Sequence, residues 1–146
     1  MDRLDLLGAW VVQAIFVLAI LVFVARLLGR PKLGHWLAGV PLLLTAFPLL
    51  YLLVRAPAYG RPWIHYLQIS LMLAFHGVEL ILDYVLKLDF RQVRWAVIGY
   101  VTLFFAGTGG MIGLASAAGK PFTVLSVGLF LTMGVLAFVQ RARTGP

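Results

Sequence analysis

Six side chains able to do acid–base or ligand chemistry recur along one stretch, residues 63–87, WIHYLQISLMLAFHGVELILDYVLK. They are His65, Gln68, His76, Glu79, Asp83 and Lys87, and with Met72 filling the one long gap the spacings run 3, 4, 4, 3, 4, 4. At about 100° per residue these positions share one helical sector about 100° wide. Imidazole beside carboxylate can pass a proton near neutral pH. His76, Glu79 and Asp83 also have the composition of a ligand set for a hard divalent cation, although one helix face would need completion from elsewhere. Haem fits poorly, because His65 and His76 lie about 16 Å apart along one helix. No cofactor is expected, and whether a metal binds stays open.

The stretch itself is apolar enough to cross a bilayer. Ionisable groups facing hydrocarbon are costly, so the stripe must turn towards protein or water. Glu79 and Asp83 together oppose insertion by about 5–7 kcal/mol, against about 3–7 kcal/mol returned by the Leu, Ile, Val and Phe residues around them. Alone, this helix is marginal, and neighbouring helices or water must satisfy it.

Composition supplies those neighbours. The chain is 62% hydrophobic and 12% charged, far outside soluble norms, and its apolar runs approach or exceed the length of a membrane span. The fold expected is an all-α integral membrane protein, a single polytopic domain over residues 1–146, with five transmembrane helices at about 6–28, 33–54, 63–87, 95–118 and 122–139. The third is expected near the centre. No cysteine is present, which excludes disulfides, thiol catalysis and thiolate metal sites. A cleavable leader is not expected, since Met1 to Asp5 holds two acids and one base and the apolar run after it is too long.

Pro41 and Pro48 should kink or unwind the second span, leaving Thr45 between them to bond a freed carbonyl. The fourth span is rich in small residues. Gly109 and Gly113 form a GxxxG pair there, and Gly110 pairs with Ala106 at the same spacing, a pattern that lets helix backbones approach closely. The run Gly107 to Gly110 is also flexible enough to break a helix at a binding site.

Asp83 has an ordinary explanation in Lys87, four residues on in the favourable acid-before-base order. Glu79 is harder to satisfy. It lies about one turn too deep to reach the headgroups, so it must meet a cation from another helix, with Arg26 at matching depth, or stay protonated.

These features point to a small transporter or channel subunit with a proton or cation path along the polar face of the third helix. The alternatives are a non-catalytic accessory or scaffold subunit and a small lipid- or cofactor-binding membrane protein. An enzyme is disfavoured, because Ser70 faces away from His76 and no nucleophile–base–orienter set appears. The expected partners are the lipid bilayer and either further copies of the chain or another membrane protein. The twelve bases cluster at segment ends rather than on one face, so nucleic acid is not expected.

Positive charge marks the cytoplasmic side. Arg3, Arg55, Arg61 and Lys120 fall on the amino-terminal side, four bases, against eight on the other: Arg26, Arg30, Lys32, Lys87, Arg91, Arg94, Arg141 and Arg143. The expected location is the plasma (inner) membrane, with the N-terminus outside. A reporter fused after Pro146 should therefore read cytoplasmic and one before Met1 external; both ends on one side would remove a span.

Overall fold

A computed structural model of the chain describes residues 2–86 and 93–144, with the side chains of Asp83, Tyr84 and Thr144 outside that description. The described residues are helical almost throughout. In order they form α1 (Arg3–Leu27), α2 (Pro31–Gly39), α3 (Pro41–Leu44), α4 (Ala46–Arg55), a 3₁₀ turn (Ala56–Tyr59), α5 (Trp63–Glu79), a π-helical turn (Leu80–Val85), α6 (Arg94–Ser116) and α7 (Lys120–Thr144). Five helical stretches are long and apolar enough to cross a membrane, with α2 to the 3₁₀ turn making the second.

The first span starts from a capping box. Asp2 accepts from the Asp5 amide at 2.8 Å while the Asp5 carboxylate accepts from the Asp2 amide at 3.3 Å. Arg61, entering α5, clamps this cap, with its guanidinium 2.8 Å from Asp2 and 2.7 Å from Asp5. The Asp5 amide, with Arg61 adding to it, holds the Asp2 carboxyl below its usual range. Gly60 precedes Arg61 with φ 62°, a left-handed conformation that closes the 3₁₀ turn and re-aims the chain into α5.

The second span is broken rather than continuous. Pro41 and Pro48 cannot donate to the preceding turn, so it divides into α2, α3 and α4. Thr45, at the second break, donates its hydroxyl to the Leu42 carbonyl, which also accepts the Thr45 amide at 3.1 Å. Short bonds of this kind tighten the turn where the α-helical ladder is lost.

The expectation of a central third span is corrected. The most enclosed span is α1, half of which is buried, against a third for the third span and about a tenth for α7. It is packed on the second, fourth and fifth spans. Leu4, Gly8, Val12, Ile15, Ala19 and Val22 are buried at helical spacing along it, and Gln13 bonds across to Ser126 of α7 at 2.7 Å. Small residues at Gly8, Ala9 and Ala19 leave room for neighbours on more than one side. The third span packs instead on α6 and on the broken second span.

Contact between α5 and α6 is backbone on backbone. A Cβ added at Gly107 would lie 3.3 Å from the Met72 Cα and 3.4 Å from the Leu71 carbonyl oxygen. Gly110 meets Gln68 at 3.5 Å, and at Gly113 an added Cβ would overlap the Gln68 amide. Gly109 takes no part, since nothing lies within 4 Å of its added Cβ. The contact face therefore steps by three, from Gly107 through Gly110 to Gly113, rather than by four from Gly109.

Gly107→Leu should force α5 and α6 apart and cost about 2–3 kcal/mol or more, because the obstacle is backbone that cannot rotate away. Gly109→Leu should leave thermal melting within about 0.5 kcal/mol of wild type. Equal losses at the two positions would show that the close face is not the one described.

Candidate functional site

The polar face of α5 is divided among several partners. At its start, His65 is buried beside the Asp2–Asp5–Arg61 cluster, and its Nε2 has no hydrogen-bond partner among the described residues. One turn on, Gln68 is wedged against Gly110 and Gly113. Met72 follows at 1% exposure, flanked by Ile69 at 0% and Phe75 at 3%. These three side chains form an apolar block in the middle of the stripe.

Beyond the block sits His76, 4% exposed. Its Nδ1 lies 2.8 Å from the Met72 carbonyl, and its Nε2 lies 3.0 Å from the Leu42 carbonyl and 2.9 Å from the Thr45 hydroxyl oxygen. A carbonyl can only accept, so Nδ1 carries a hydrogen and donates it to Met72. Nε2 then has two satisfied states. In the neutral ring it accepts from the Thr45 hydroxyl. In the protonated ring it donates to Leu42, with the Thr45 hydroxyl turned onto the same carbonyl. Breaking the second span at Thr45 is what exposes Leu42 to the ring, so the proline breaks and the imidazole form one unit.

Glu79 is 5% exposed and receives a hydrogen bond from the Tyr100 hydroxyl of α6. It also borders a cavity of about 580 Å³ to which all five spans contribute. Arg26 of α1 and Arg141 of α7 line the same space, and aromatic rings form much of its wall. Phe75 packs on Tyr100 and Phe104 with ring centroids 5.4 and 5.3 Å apart, and Phe105 stacks on Phe138. Arg26 is seated against Gly34, where an added Cβ would fall 2.9 Å from the Arg26 Cγ. Arg26 thus lines the same cavity as Glu79, from the first span.

Immediately after Glu79 the helix changes type. The Leu86 amide bonds the Ile81 carbonyl at 2.8 Å, five residues back, and the turn Leu80–Val85 is π-helical. An i→i+5 turn rotates less per residue than an α-helix, so the α-helical register of this span ends at Glu79. Such turns recur at functional sites. The side chain of Asp83, and Lys87 with its proposed pairing to Asp83, lie outside the described residues.

Tyr100, Thr45, Gln140 and Arg141 join the site without having been singled out as site residues in the sequence. Tyr100 had a legible signal. It stands seven residues before Gly107, two turns along the same helix face that the glycines press on α5. Arg141 had none, because the fifth span meets the cavity only through tertiary packing.

Thr45→Val removes the hydroxyl donor to Nε2 at constant shape. At pH 8, where the neutral ring needs that donor, it should cost about 1–2 kcal/mol. The loss should shrink only at a pH low enough to protonate the buried ring, which then donates to Leu42 and no longer needs Thr45. Thermal melting at pH 8 and at successively lower pH checks this, and a pH-independent loss would show that His76 keeps one protonation state. Comparisons with protein-family models, with curated proteins and with solved structures found no match.

Proposed function

We propose that this chain is a small multi-spanning transporter or channel of the inner membrane, in which Glu79 is the carboxylate that binds and releases the transported proton or cation. The observation that carries this reading is the position of Glu79, buried, held by Tyr100, and yet on the wall of a cavity shared by all five spans. A buried carboxylate without a function would be a liability, since an intramembrane charge opposes insertion by about 2.5–3.5 kcal/mol.

His76 stands one turn deeper, bonded so that it can accept or give up a proton without losing a partner. Ile69, Met72 and Phe75 form the apolar block beyond it. With the topology read from the bases, the cavity lies in the cytoplasmic half of the bundle, near Arg26 and Arg141, and the apolar block lies on its outer side. Alternating access would then require α5 to move against α6 or the second span, so that the block opens as the cavity closes.

Purified protein in liposomes, loaded with a pH-sensitive dye and scanned over pH and cations, tests this directly. Glu79→Gln should melt like wild type and lose at least about tenfold in flux, and whatever flux remains should lose the pH dependence of the wild type. Should Glu79→Gln instead destabilise the protein, and the added change Arg26→Gln restore it, Glu79 would be a structural counter-charge and the transport role would fall.

A further inference from the structure

We propose that the cavity binds an amphipathic anion, one carboxylate or phosphate head on a single apolar chain, as the species that moves together with a proton; this identity rests on the transport reading above. The cavity volume, about 580 Å³, lies within the range of sites that enclose a small organic molecule, about 300–1,000 Å³. Its walls are largely apolar, with Phe23, Phe104 and Phe138 among them, which suits a hydrocarbon chain and wastes the space on a bare ion.

Charge decides the head. The charged groups lining the cavity among the described residues are Arg26, Arg141 and Glu79, two cations against one carboxylate. Among these groups an inorganic cation would meet more positive than negative charge. A carboxylate or phosphate would meet two guanidiniums, the side chain best shaped for bidentate binding of both.

The proton follows from the same count. Protonating Glu79 takes the balance from one net positive charge to two, so proton and anion favour each other's binding, and by linkage the effect is reciprocal. Among the described residues, the titratable groups that line the cavity with Glu79 are Arg26 from α1, Tyr100 from α6 and Arg141 from α7, with His76 one turn away on α5 itself, while the second span contributes the apolar Ala38 and Leu42. None of these is a competing carboxylate.

The test is equilibrium binding of radiolabelled dodecanesulfonate, whose charge does not change with pH, to the full chain in phosphatidylcholine nanodiscs. Saturable binding is expected, tighter at pH 5.5 than at pH 8, displaced by laurate and by dodecyl phosphate but not by inorganic phosphate or dodecyltrimethylammonium. Whichever of laurate and dodecyl phosphate displaces better separates a carboxylate head from a phosphate head. Arg141→Gln, at the exposed rim where folding is not at stake, should weaken binding about tenfold, and Arg26→Gln similarly if it folds. Glu79→Gln should bind at least as tightly as wild type and lose the pH dependence. Binding that is non-saturable, unchanged in Arg141→Gln, or displaced equally by the cationic chain overturns the proposal, as does displacement by inorganic phosphate alone. If binding fails while Glu79-dependent proton flux persists, the anion is wrong and the transport reading stands. If binding holds while Glu79→Gln leaves flux unchanged, the site stands and the transport reading falls.

Discussion

The contact of α5 with α6 at Gly107 is the constraint on which the rest of the molecule turns. Two helix backbones touch there, with the Leu71 carbonyl and the Met72 Cα occupying the space a side chain would fill. At that separation the face of α5 carrying Gln68, Met72 and Glu79 has nowhere to go but against α6 and the space beside it. The same contact brings Tyr100, two turns along α6, within bonding reach of Glu79. Move the helices apart by one methyl group and the carboxylate loses its hydroxyl partner.

Each polar group inside the bundle answers the same problem in its own way. An unsatisfied buried polar group costs about 1–3 kcal/mol, and four of these groups find a partner on another element. Gln13 reaches Ser126, His76 reaches the broken turn at Thr45, Glu79 reaches Tyr100, and Arg61 ties the amino-terminal cap to the start of α5. These four links join the spans at different depths, which orders a bundle whose apolar surfaces would pack in many ways. The hydrophobic contribution holds the helices together only loosely in specificity, since Leu against Leu resembles Leu against lipid.

Irregular backbone is concentrated beside His76 and Glu79. The second span unwinds beside His76, and α5 turns π-helical directly after Glu79. Both irregularities face or adjoin the cavity, where freed carbonyls find side-chain partners instead of lipid. Two discrete hydrogen-bonding arrangements at His76 and a carboxylate that can be charged or neutral give this region the elements of a switch, while the end near Arg61 is clamped by ion pairs.

Much of the architecture could be read directly from the residues. Five long apolar runs with few charges within them dictated five long helices, because only a helix satisfies its own backbone in an apolar medium. Helical spacing showed that His76 and Glu79 share a face, and the two prolines marked the break in the second span. What spacing could not reveal was the partner across each gap. Apolar helices look alike on all sides, so nothing in the α1 sequence announced that it, rather than α5, would be the most enclosed, or that Gly107 rather than Gly109 would meet α5. The bond from Tyr100 to Glu79, the approach of Leu42 to His76 and the gathering of Arg26 and Arg141 around one cavity join residues 21 to 115 positions apart. Periodicity reports which way a side chain points from its own helix axis; which neighbour stands there is decided only when all five helices compete for the same space.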